Sequence, residues 1–289
     1  MYAPMKVRFH QCDVFTDRLF GGNPLVVTLG ADGLAERRMQ AFAREMNCSE
    51  TTFVLPARDP NAAYRVRIFT PGQELPFAGH PTIGTAWTLH RLGLLNAETF
   101  AFEMEVGLVP VRRDGSQFWM TPPRPRIGDA VAVTDGIASA LGLRADQLIG
   151  APQSIGHFLC IPVRDRVALA ALEIDRTALR EPIGRERADG DLLCITFEDG
   201  HADVRMFADL RSGIGEDPAT GSAVAPMLHK LTLDGRLTPT TTQISITQGE
   251  AIQRKSTLHA SLQWKGALLD VIEVGGTCVH AFSSEMELR

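Results

Sequence analysis

Two seven-residue stretches carry side chains suited to chemistry: Glu74-Leu75-Pro76-Phe77-Ala78-Gly79-His80 and Glu216-Asp217-Pro218-Ala219-Thr220-Gly221-Ser222. They supply an imidazole (His80), a carboxylate (Asp217) and a hydroxyl (Ser222), each beside a proline or glycine that shapes a loop. Glu, Pro and Gly recur at the same places with an offset of 142 residues, close to half of the 289-residue chain, which reads as a duplicated unit. In each copy the loop follows a strand-like alternation and precedes an apolar, helix-like run. The copies are expected to be strand-loop-helix units facing each other across one cleft. Gly79-His80-Pro81 and Gly221-Ser222-Ala223 then stand at helix starts, where free first-turn N–H groups and the positive end of the helix dipole favour an anion. Glycine lets the backbone approach a substrate carboxylate, and Ser222 is placed to cap its helix. Taken singly, each loop reads better as a plain turn and cap; the duplication is what favours a site.

The candidate proton-handling groups are His80 and Asp217, which would lie on opposite walls of that cleft, and Glu50, at the mouth of the strand pattern Cys48-Ser49-Glu50-Thr51-Thr52-Phe53-Val54-Leu55. Burial against Phe53, Val54 and Leu55 would let Glu50 work as acid and as base near neutrality, whereas the plain reading is an exposed or hydrogen-bonded strand carboxylate. Other chemistries lack their signatures. There is no His-Glu-x-x-His, Cys-x-x-Cys or clustered carboxylate run for a metal, and no Walker loop or Gly-x-Ser-x-Gly elbow. Gly213-Ile214-Gly215 is too short for a dinucleotide fingerprint, so the site is expected to use neither cofactor nor metal.

The elements that must position these groups follow from periodicity. Lys6 to Phe15 and Leu25 to Leu29 read as strands around the turn Phe20-Gly21-Gly22-Asn23-Pro24, and Leu34 to Met46 as an amphipathic helix. Pro81 to Leu92 reads as a helix with no charge from Thr82 to Leu89, hence buried, stopped by Gly93. Ala223 to Leu233 is its counterpart, ending near Gly235. Pro122-Pro123-Arg124-Pro125-Arg126 reads as a linker, because three prolines in four residues suit neither a helix interior nor a central strand. The domains are therefore expected at residues 1–122 and 126–276, with 277–289 a candidate strand returning to the first.

Composition agrees with two cores of about 100 to 150 residues. The formal net charge of −5 and the lack of a basic run disfavour nucleic acid and membrane surfaces as partners, leaving a small molecule. No apolar run approaches the roughly 18 residues that span a bilayer, and the first residues lack a signal-peptide core, so a cytoplasmic protein is expected. The five widely spaced cysteines read as reduced packing residues.

Together, Asp13-Val14-Phe15-Thr16-Asp17, Phe20-Gly21-Gly22-Asn23-Pro24-Leu25, Ser49-Glu50-Thr51-Thr52-Phe53, Phe69-Thr70-Pro71, Glu74 to Gly84 and Glu216 to Ala223 strongly resemble the phenazine-biosynthesis PhzF-like family. The motifs keep the family's order and span both halves. The resemblance implies an α/β (α+β) fold of the diaminopimelate-epimerase type: two pseudo-symmetric domains, each a mixed β-sheet curled around a central helix. It implies a cofactor-free isomerase and a homodimer, with Glu50 as proton shuttle and His80 and Asp217 positioning or polarising the substrate. Gly79 and Ser222 are similar to the family's carboxylate anchors. Related epimerases use a cysteine pair, which neither loop here contains. The alternatives are an epimerase or racemase of a cyclic amino acid, or a metabolite-binding protein without chemistry. One departure is visible: after Gln248-Gly249 the family shows Arg-Pro-Ser, where this chain reads Arg254-Lys255-Ser256.

Overall fold

A computed structural model describes residues 5–288 of the chain. The described residues up to Pro123, with Arg211–Gly213 and those from Glu273 onward, form one compact unit; Arg124–Leu210 and Ile214–Ile272 form a second.

The first unit opens with β1 (Met5–Val14) and β2 (Asn23–Leu29), followed by α1 (Glu36–Met46), β3 (Glu50–Leu55), β4 (Tyr64–Phe69), β5 (Glu74–Leu75) and α2 (Gly79–Arg91). β6 (Thr99–Met104), β7 (Gly107–Asp114) and β8 (Gln117–Met120) complete it. β2 and β3 pair in parallel, as do β4 and β6, and the other pairings are antiparallel: β1 with β2, β3 with β4, β4 with β5, β6 with β7 and β7 with β8. Parallel neighbours need a crossover, and α1 and α2 supply the two crossovers.

The second unit contains β9 (Ile127–Ala130), α3 (Asp135–Ala140), β10 (Gln153–Ile155), β11 (Phe158–Pro162), α4 (Arg166–Ala170), α5 (Arg176–Ile183) and α6 (Arg185–Asp189). Then come β12 (Asp191–Glu198), β13 (His201–Phe207), β14 (Glu216–Asp217), α7 (Val224–Leu233), β15 (Gln243–Gln248) and β16 (Ser256–Lys265). The order of pairings repeats that of the first unit. β10 is antiparallel to β11, β11 parallel to β12, β12 antiparallel to β13, β13 antiparallel to β14 and parallel to β15, and β15 antiparallel to β16.

β17 (Leu268–Gly276) carries the chain from the second unit into the first, where Val274–Gly276 pair with β8. β18 (Cys278–Leu288) then lies antiparallel on β1, from Val14 opposite Cys278 to Met5 opposite Leu288.

Each curled sheet wraps the helix after its signature loop. α2 is buried at ten of its thirteen positions, matching the charge-free run of its sequence. It lies so close to the sheet that a Cβ on Gly84 would stand 2.5 Å from Leu25 Cδ2 and 2.6 Å from Val14 Cγ2. Only glycine allows that approach. On the other face, Phe9, Phe42, Phe53 and Phe69 form an edge-to-face series with centroids 5.4–5.9 Å apart, joined by Val26, Met39 and Leu55. In the second unit, Ile137, Leu141, Leu159, Ile161, Leu179, Leu192 and Cys194 form the core between the sheet and helices α3 to α6. Among the described residues, no helix is long and apolar enough to cross a membrane.

Candidate active site

In the first unit, chain register brings Glu50 and His80 together. Glu50 is the first residue of β3 and stands opposite Leu25 in the parallel β2–β3 pair. His80 is the second residue of α2, whose start is set by extended Ala78 (φ −149°, ψ 145°) and by Pro81, placed in the first turn, where a missing N–H costs no helical hydrogen bond. Glu50 is 8% exposed and His80 3%, and Glu50 Oε2 lies 3.1 Å from His80 Nε2. Burial pulls the imidazole pKa down to about 3, and a hydrogen bond to the Pro24 backbone opposes it only in part. Since Nε2 faces Glu50, the nitrogen left to donate to the Pro24 carbonyl is Nδ1. His80 is therefore a neutral imidazole whose Nε2 stands 3.1 Å from the carboxyl group without itself making a hydrogen bond. Gly79, the first residue of α2, is buried beside it. Behind the pair, Thr82 Oγ1 donates to the Ala78 carbonyl (2.7 Å) and Thr52 Oγ1 meets Thr85 Oγ1 at 2.9 Å.

In the second unit, Asp217 closes the two-residue β14 opposite Met206 and is 5% exposed. Thr220 Oγ1 donates to its Oδ2 at 2.5 Å. Gly221 is buried and Ser222 half-buried, in a single 3-10 turn (Gly221–Ala223) that leads into α7. Ser222 stands at neither cap position: the N-cap residues are Thr220 for the turn and Ala223 for α7, and neither makes a side-chain cap hydrogen bond. The plain reading of Ser222 as a helix cap thus does not hold, because the 3-10 turn places the serine inside the first turn instead of ahead of it.

Sequence reasoning missed two sets of residues that hold these loops. The first is the recurring glutamate of the repeat. Arg67 on β4 grips Glu74 through Nε to Oε1 (2.7 Å) and an Nη to Oε2 (2.5 Å), with its guanidinium 5.1 Å from the Phe69 centroid. Arg205 on β13 grips Glu216 in the same bidentate way (3.0 and 2.7 Å) and lies 4.9 Å from the Phe207 centroid. Each clamp pins a two-residue strand that ladder bonds alone would hold weakly. The Arg-x-Phe pattern before each loop was the available signal, but alternation made the arginines look like a solvent face.

The second set is Gln248 and Ser256. Gln248 Nε2 donates to the Asp217 carbonyl (2.7 Å) and to Thr220 Oγ1 (2.9 Å), and its Oε1 accepts from the Thr220 N–H (3.0 Å). Ser256 Oγ is 2.8 Å from the Pro218 carbonyl and 3.1 Å from that of Arg254. Gly249 has φ +80°, and a Cβ there would stand 2.4 Å from the Arg254 carbonyl oxygen and 2.7 Å from that of Pro218. The departure at Lys255 leaves this turn intact: Arg254 N–H still bonds the Gly249 carbonyl, and Lys255 points outward to Glu250 at 2.7 Å.

The chain matches the phenazine biosynthesis-like protein family (PhzC-PhzF) over residues 12–284. It belongs to that family. It is 34% identical over 284 residues to an uncharacterized isomerase of Pasteurella multocida (strain Pm70), covering 96% of this chain and 93% of that relative. It is 35% identical over 279 residues to the trans-2,3-dihydro-3-hydroxyanthranilate isomerase of Pseudomonas aeruginosa, covering 93% and 95%. The crystal structure of a Bacillus anthracis phenazine biosynthesis protein of the PhzF family superposes with a TM-score of 0.83 at 24% identity, covering 97% of this chain and 99% of that one. This PhzF-family chain is thus an isomerase with the two-unit, diaminopimelate-epimerase-like architecture.

Thiol chemistry has little support among the side chains of this PhzF-family protein. Cys12, Cys160, Cys194 and Cys278 are buried and unbridged, and burial raises their thiol pKa values, to about 12 for Cys12 and Cys194. Among the described residues, no group of three His, Cys, Asp or Glu side chains could hold a metal ion.

Proposed function

We propose that the protein moves a proton between two carbons of a small, unsaturated, carboxylate-bearing amino acid, without a cofactor. The observation that carries the reading is the buried contact of Glu50 with a neutral His80. As a carboxylate, Glu50 takes a proton from one carbon, the electron pair of that C–H bond moves through the conjugated system, and Glu50, whose acid proton exchanges with solvent in the meantime, delivers a proton at the far end. Atoms and electrons balance, so no redox partner is required. Once Glu50 carries the proton, a small rotation of its carboxyl group would bring the O–H onto the Nε2 lone pair of His80, 3.1 Å away. Because burial makes imidazolium costly, the proton stays on the carboxyl group, ready for return.

Asp217, on the second unit, would orient the substrate amine. The backbone around Gly79, Gly221 and Ser222 would receive the substrate carboxylate. The 35% identical relative named trans-2,3-dihydro-3-hydroxyanthranilate isomerase supports a compound of that class as the first substrate to try. In D2O, wild-type protein is expected to convert this compound with deuterium incorporation at the receiving carbon, followed by NMR. Glu50→Gln should cut turnover by at least about a thousandfold while substrate binding persists. A Glu50→Gln protein within a few-fold of the wild-type rate would refute the assignment.

A further inference from the structure

The geometry assigns to Gln248 and Thr220 a positioning role in this reaction: together they form a relay of oriented hydrogen bonds that aims the Asp217 carboxylate. The assignment rests on the functional reading above, in which Asp217 meets the substrate.

Direction follows from the inventory of donors and acceptors. Gln248 is 2% exposed, and the loop uses both ends of its amide group. Its Nε2 can only donate, so the contact with Thr220 Oγ1 consumes a hydroxyl lone pair. The Thr220 proton is then left to point at Asp217 Oδ2, 2.5 Å away. Gln248 therefore sets the direction of a hydrogen bond that it does not itself make. The two amide contacts to the main chain, with Ser256 on Pro218, keep the backbone from Asp217 to Thr220 in register with the relay.

The duplicated unit shows that the fold does not require these groups. β4 and β6 pair with Tyr64 opposite Phe102 and Arg65 opposite Glu103. β13 and β15 pair in the equivalent register, Ala202 opposite Ile246 and Asp203 opposite Thr247. The next residue is Met104 in one copy and Gln248 in the other, each the last of a six-residue strand. Likewise Ala78 precedes Gly79 where Thr220 precedes Gly221. The first copy fills both places with apolar side chains, Met104 being 6% and Ala78 6% exposed. A buried amide and hydroxyl cost desolvation that an apolar pair avoids, so their presence in one copy alone marks a demand other than packing.

The experiment is proton exchange into trans-2,3-dihydro-3-hydroxyanthranilate in D2O by full-length wild type, T220S, T220V, Q248M and the T220V/Q248M double variant, with thermal melts of each. T220S keeps the hydroxyl and should stay within about threefold of wild type. T220V keeps the shape and removes the hydroxyl, and kcat should fall by about ten- to a hundredfold with KM changed less than about threefold, the range for one lost hydrogen bond to a charged group. Q248M should lose a similar factor, and the double variant little more than T220V, because both changes break one chain. A T220V protein that melts like wild type and keeps its kcat overturns the assignment. So does a T220S protein as slow as T220V, or losses that multiply in the double variant. If T220V does not fold, Q248M at wild-type kcat overturns it. Wild-type protein without exchange would instead remove the functional reading and this role with it.

Discussion

The neutral, buried His80 makes acid stability a quantitative test. Its pKa is about 3 in the fold against an ordinary 6.5, so between these values the unfolded chain binds a proton that the folded protein does not. The contribution of His80 to stability is therefore complete above about pH 6.5 and is lost as pH falls toward 3. The slope is about 1.4 kcal/mol per pH unit, which amounts to about 2 kcal/mol at pH 5 and between 4 and 5 kcal/mol near pH 3. Carboxylates titrate in the same range, so the quantity to measure is the difference between wild type and His80→Asn, with urea midpoints and slopes at pH 7.5, 6.5, 5.5 and 5.0. His80→Asn should be less stable than wild type at pH 7.5, and the gap should narrow by about 2 kcal/mol by pH 5. A gap that stays constant across this range would mean that His80 titrates normally. The proton would then not be confined to Glu50.

Two further predictions concern the scaffold. Gly84→Ala would drive a methyl group into Leu25 and Val14 and should cost about 1 to 3 kcal/mol in chemical denaturation; an unchanged midpoint would show that α2 can move away from the sheet. Glu216→Gln removes the charge from a largely buried bidentate contact and leaves Arg205 uncompensated, so a loss of about 3 kcal/mol or more is expected by urea denaturation. A loss under about 1 kcal/mol would mean that β14 does not depend on the clamp.

Much of this architecture was legible in the residues. The helix α2 could be read because an uncharged run between Pro81 and Gly93 has no stable place but a core, and β1 and β2 because alternation and a Gly-Gly-Asn-Pro turn leave few other conformations. The segment holding α5 and α6 (Arg176–Asp189) gave no such signal, since it is dense in charge and interrupted by Pro182 and Gly184. Glu50, His80 and Asp217 stood out by type and by family likeness. The contact between Glu50 and His80 did not, because it depends on the parallel register of β2 and β3. Gln248 was invisible for a similar reason: a glutamine at a strand end carries no periodic signature, and its role exists only where β15 passes under a loop almost 30 residues earlier in the chain.

The pairing of β1 with β18 bears on how the protein is made. Val14 lies opposite Cys278 and Phe9 opposite Ser284, so one edge of β1, whose other edge takes β2, finds its partner only about 270 residues later. Until then, that edge of β1 stays open to any other strand in the crowd. The second unit lies almost entirely within one stretch of chain and has no such wait. Synthesis therefore favours completion of the second unit before the first, which is closed only as β18 docks on β1.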